Sequence, residues 1–300
     1  MSDTAADASG VRQLHSRTAN QGIQNTQHAR SSVPTAPQGL NALRSAAALW
    51  WMVAIAGHAV FGAYIIGTYG AATLRGNVAA WNRVFPAGYV SGQPLGNAIV
   101  AAHVLLASIV ALCGPLQLVP SLRRHAPWFH RWNARIYVTV AIVVGLAGLV
   151  MMADDRSLVG ASQNGSVAIN GALLLACAVL AWRYARARDF AAHRRWALRL
   201  FVLAAGVWFF RIGLAAWIAI NGGIAGFDPR TMRGPALFAL AAGEWMVPLL
   251  VLEAYLRAER ARGPLGRYII AALLVVLAAA TGFGIYRAAI GMWLPPLLLK

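Results

Sequence analysis

Seven apolar stretches punctuate the chain, at residues 46–68, 96–118, 135–153, 166–184, 198–220, 236–257 and 267–289. Each is about 19–23 residues long, the length an α-helix needs to cross roughly 30 Å of hydrocarbon at 1.5 Å per residue. Inside hydrocarbon no water satisfies a backbone N–H or C=O, so such runs are helices. The expected fold is therefore all-α: a polytopic membrane helix bundle of about seven transmembrane helices, spanning residues 43–290. Composition agrees, because 12% of the residues are charged and 59% are hydrophobic, against roughly 25% charged in soluble domains. Pro248 lies inside the sixth stretch and is expected to kink it.

Orientation follows from the basic residues between stretches. The second, fourth and sixth connections carry fourteen arginines and the first, third and fifth carry five. The even connections are expected in the cytoplasm, which puts the N-terminus inside and the C-terminus outside. Trp81, Trp128, Trp132, Trp182, Trp196 and Trp293 lie near stretch ends, as interfacial aromatics do.

Residues 1–42 are polar, lack an apolar core of signal-peptide type and read as a disordered tail in which His15 and His28 are solvated. Residues 291–300 form a short C-terminal tail. The net charge of +17 raises nucleic acid as a partner. The basic residues, however, form short clusters between apolar runs, so the expected partner is the lipid bilayer, its anionic lipids included, and not nucleic acid. Cys113 and Cys177 fall inside apolar runs, belong to no CxxC motif and read as small buried hydrophobes.

The stretch "PWFHRWNARIYV" (Pro127–Val138) packs His, Arg and Trp into the turn before the third helix. Arg131 and Arg135 share a helix face and are placed to meet lipid phosphate. "HRRWALRLFV" from His193 echoes it: aligning Trp132 with Trp196 pairs Arg135 with Arg199 and leaves His130 one residue from His193. Arg194 and Arg195 fall in the same echo and the same interfacial role. One reading is a duplicated helix hairpin, stretches two and three repeated as four and five. The other is drift of any arginine-rich cytoplasmic turn toward the same residues.

These residues carry a resemblance. Gly114, Pro115 and Gln117, then His130, Arg131, Arg135 and Tyr137, then His193, Arg194, Arg195 and Trp196 resemble the signature of a bacterial family of predicted multi-pass membrane proteins catalogued as a domain of unknown function. Ala134 stands where that family usually has Gly. The resemblance covers residues 95–220 and implies the bacterial inner membrane, with no established activity. A fainter likeness is to b-type transmembrane cytochromes, which hold haem between histidines of neighbouring helices.

Four ionisable residues lie deep in the stretches: His58, His103, Arg211 and Glu244. Counted from the cytoplasmic ends, all four sit at depths of ~18–23 Å. Intramembrane charges face the bundle interior and pair, so Arg211 is expected to meet Glu244. Glu253 is expected to meet Arg257, four residues on. His58 and His103, at matched depth on consecutive helices, are the candidate ligands of a haem b; a hydrogen bond to a neighbouring helix is the commoner role of a membrane histidine. His125, His130 and His193 form a second, shallower candidate cluster. Gly145 and Gly148 point to close helix packing.

No phosphate loop, HExxH or GxSxG motif is present, and the adjacent carboxylates Asp154 and Asp155 lie in an outer loop. Three functional classes remain: haem-dependent transmembrane electron transfer, a small-solute or proton-coupled transporter, and a non-catalytic sensor or assembly protein.

Overall fold

The computed structural model describes residues 38–85, 87–153 and 163–298. Most of the expected N-terminal tail, with His15 and His28, lies outside the described residues, as do Asp154, Asp155 and Arg156.

Eight long helices make the bundle: α1 (Leu40–Ile65), α2 (Pro94–Gln117), α3 (Pro127–Ala153), α4 (Asn164–Arg186), α5 (Phe190–Ala204), α6 (Gly206–Ile220), α7 (Pro235–Arg260) and α8 (Leu265–Ala288). Among the described residues there is no strand, only one isolated bridge between Asp228 and Arg233. Six helical stretches are long and apolar enough to cross a membrane singly, and α5 with α6 qualify together as a bent pair. Counting that pair as one span gives seven. Between 22% and 39% of each single span's most apolar window is buried. The rest turns outward, where Met52, Val150, Leu250 and Val276 are exposed. Such apolar area is stable against lipid and not against water.

Local chemistry sets the helix starts. Proline occupies the first position of α2, α3 and α7, where its missing N–H costs nothing. Asp189 caps α5 by accepting the Ala192 backbone N–H at 2.9 Å. α3 and α5 begin eight residues before their apolar runs, because the His, Arg and Trp residues preceding those runs are themselves helical. Pro248 does not interrupt α7. The interruption falls in the fifth span, where α5 and α6 meet at Ala205 with a 47° bend.

Helices α1 and α2 pack together, α2 packs on α3, α3 on α4 and α4 on α5, while α6 lies between α7 and α8 and α8 returns to α1. The arginine-bearing connections meet at one end. There Arg194 of α5 donates to Glu259 of α7 at 2.8 Å, and Arg199 of α5 donates to Glu253 of α7 at 2.7 Å. The expected Glu253–Arg257 pair is thus replaced by a contact between helices. At the same end Arg267 is only 4% exposed. It donates to the backbone carbonyls of Gln38, Ala258 and Ala261. Ala258 lies in the last turn of α7, where carbonyls lack an i+4 partner; its oxygen takes the Ala261 N–H at 3.3 Å, and the guanidinium adds a second donor there while fastening the start of α1.

Candidate functional site

The break at Ala205 organises the interior. Interrupting the hydrogen-bond ladder frees backbone groups of α5 and α6 on either side, and polar side chains from other helices gather there. Asn170 of α4 donates to the Leu203 carbonyl at 3.3 Å. Its Oδ1 is buried without a partner among the described residues. Gly206 opens α6, and a Cβ there would lie 2.7 Å from Asn170 Nδ2 and 3.4 Å from Glu244 Oε1. Glycine is what lets both side chains reach the break. Glu244, 7% exposed, has no ion-pair or hydrogen-bond partner among the described residues.

A cavity of about 140 Å³ lies beside this break. Two of its walls carry the deep histidines. His58 of α1 is 3% exposed, holds the Ala54 carbonyl through Nδ1 at 2.8 Å, and lies against Trp208 with ring centroids 4.1 Å apart. His103 of α2 engages the Val144 carbonyl of α3 through Nδ1 at 3.0 Å. In both rings the carbonyl fixes Nδ1 as the protonated nitrogen and leaves Nε2 as an acceptor. The cavity also meets Asn170, Tyr137, Phe61 and the glycines Gly145, Gly148 and Gly171. Gly148 packs closely on His103: a Cβ there would stand 3.1 Å from the imidazole Cε1. The Tyr137 hydroxyl is buried without a partner among the described residues.

Of the four deep ionisable residues, His58 and His103 line the cavity, while Glu244 lies at the break beside Gly206 and Arg211 lies against Phe61. Arg211 does not reach Glu244. Its guanidinium sits over Phe61 and Tyr64, 5.8 and 6.0 Å from the ring centroids, where aromatic faces stabilise a cation. Arg211 and Glu244 belong to α6 and α7, but Glu244 is turned toward α4 and the start of α6.

The shallower histidines separate. His130 and His193 are electrostatic neighbours at the arginine-rich end. His193 Nδ1 bonds the Ala181 carbonyl at 2.9 Å, and His130 Nδ1 is buried without a partner. His125 is exposed and bonds the Ser121 carbonyl of its own short helix, so it does not join them. Among the described residues no three of His, Cys, Asp and Glu gather as ligands for one metal ion.

The echo has a physical counterpart. Arg135 stacks over Trp132 at 5.0 Å and Arg199 over Trp196 at 4.7 Å, the same Trp-x-x-Arg contact at two helix starts. Arg131 and Arg135 are exposed there. Arg194 is instead committed to Glu259.

Asn170 escapes a search confined to ionisable groups, and Tyr137 enters the sequence reading only through the family resemblance, not as a cavity residue. Their signal in the sequence is a polar atom within an apolar run, without a charge.

No curated protein and no solved structure matches the chain. A family model does: the one described as "Predicted membrane protein (DUF2306)" matches residues 100–257, just over half of the chain and most of the helices around the cavity. The chain belongs to the DUF2306 family of predicted membrane proteins.

Proposed function

We infer that this protein is a proton-coupled carrier of a small polar solute, with its arginine-rich end in the cytoplasm of a bacterium. The observation that carries this reading is a cavity beside an interrupted helix, lined by Asn170, with the buried Glu244 carboxyl at the same break and no partner for it among the described residues. Broken membrane helices supply substrate and ion sites because their freed backbone groups and dipole ends face a cavity instead of lipid. A carboxyl group buried without a partner takes or releases a proton as its surroundings change, the usual task of such a group in a membrane. His58, His103, Asn170 and Tyr137 offer hydrogen-bonding groups to a solute of a few heavy atoms; an apolar cavity of about 150 Å³ accommodates one benzene.

The test is uptake by proteoliposomes of labelled amino acids, sugars, polyols and short carboxylates under an imposed pH gradient. At least one solute is expected to accumulate above protein-free vesicles. Absence of accumulation for every class contradicts the reading.

One observation favours a second reading, haem b held by His58 and His103. Both imidazoles are anchored through Nδ1 to a backbone carbonyl, the arrangement that orients Nε2 toward a metal. The donors fit, but about 140 Å³ falls below the roughly 300–1,000 Å³ of ligand pockets, so the walls would have to part. When bound, haem would supply one-electron transfer across the membrane. A dithionite-reduced minus oxidised spectrum of protein made with haem precursor decides it. This reading expects a narrow band lost in both His58→Ala and His103→Ala; the carrier reading expects a flat spectrum.

A further inference from the structure

At the arginine-rich end, away from the cavity, α5 and α7 enclose a surface pocket of about 350 Å³. Arg195, Arg199, Arg257 and Arg260 line it with a single carboxylate, Glu253. Arg199 is already neutralised, because Nε bonds Glu253 at 2.7 Å and the guanidinium stacks on Trp196. The nearby Glu259 is spent on Arg194. Arg195, Arg257 and Arg260 are left with no ion-pair or hydrogen-bond partner among the described residues. Three uncompensated guanidinium groups around one concavity repel each other, and an anion between them relieves that repulsion. The planar fork of arginine matches phosphate oxygens two at a time. Leu256 and Ala261 add an apolar surface beside the charges.

We propose that this pocket binds a phosphate group, either the anionic headgroup of a membrane phospholipid or free phosphate. A basic pocket between membrane helices at a cytoplasmic surface suits a headgroup. The ligand is independent of the solute in the central cavity, so the pocket stands or falls separately from the carrier reading.

Native mass spectrometry of the full-length protein in detergent tests it, with phosphatidylglycerol, phosphatidylcholine and inorganic phosphate as probes. Phosphatidylglycerol is expected to bind about tenfold or more tightly than phosphatidylcholine. That preference is expected to vanish in Arg195→Gln/Arg257→Gln. It should survive in Arg183→Gln/Arg186→Gln, which removes the same charge from exposed positions of α4 outside the pocket. Arg257 is itself exposed, so Arg257→Gln alone, with a wild-type melting profile and a several-fold loss, serves if the pair fails to fold. Displacement of the lipid by inorganic phosphate, with the same arginine dependence, would assign the site to free phosphate; lipid that stays bound would assign it to the headgroup. Equal binding of the two lipids together with no arginine-dependent binding of inorganic phosphate, or equal losses in both double variants, overturns the proposal.

Discussion

Leucine at position 284 is expected to unseat α8 from α6 and to destabilise the bundle by about 3 kcal/mol or more. A Cβ at Gly284 would lie 2.9 Å from the Ile212 carbonyl oxygen and 3.1 Å from the Ile212 Cβ. These are backbone and near-backbone atoms, which cannot rotate away as the end of a flexible side chain can. The strain would pass through α6 to Trp208, which lies against His58, so the cavity should lose definition with the fold. Gly266 on the same helix has nothing within 4 Å of its would-be Cβ, and Gly266→Ala is expected to be neutral. Thermal unfolding in detergent separates the two. A Gly284→Leu melt matching wild type would mean that α6 and α8 do not approach as described.

Arg267→Met is expected to cost about 3 kcal/mol by a different route. Methionine fills much of the volume but donates nothing, leaving the Gln38 and Ala261 carbonyls without the guanidinium and the Ala258 carbonyl with the Ala261 N–H alone, at about 1–3 kcal/mol for each that stays buried and unpaired. Arg267→Lys should recover only part of the loss, because a single ammonium cannot reproduce the fork that spans three acceptors. The local consequence is fraying of the start of α1 and of the turn between α7 and α8, readable as faster amide exchange there. Equal exchange in all three proteins would show that the guanidinium does not hold these segments.

The membrane architecture was legible because hydrocarbon imposes a length and a composition that few other settings demand. All seven stretches correspond to helices, one of them divided. The division at Ala205 was not legible. No proline or glycine pair announces it, and the residues that gather at it, Asn170 bonded to the Leu203 carbonyl and Glu244 beside Gly206, come from other helices. The proline that did attract attention, Pro248, leaves α7 continuous.

Depth along a helix could be counted from the sequence, and His58 and His103 do meet at one cavity. Rotation about the helix axis could not be counted so simply. Arg211 and Glu244 have similar depths and neighbouring helices, yet face different partners. The same limit explains Glu253, whose i+4 neighbour Arg257 was available while Arg199 on another helix was closer. Arg267 looked like one more topological arginine, because its acceptors are main-chain carbonyls that leave no mark in a sequence.

The most direct test of the carrier reading is proteoliposome transport by Glu244→Gln, read in two modes with the best solute found. The amide keeps the shape of the side chain but has no proton to exchange. Accumulation driven by a pH gradient is expected to be abolished, while exchange of labelled for unlabelled solute without a gradient continues. Accumulation equal to wild type would contradict the account, since Glu244 would then be a packing residue at the helix break and nothing more.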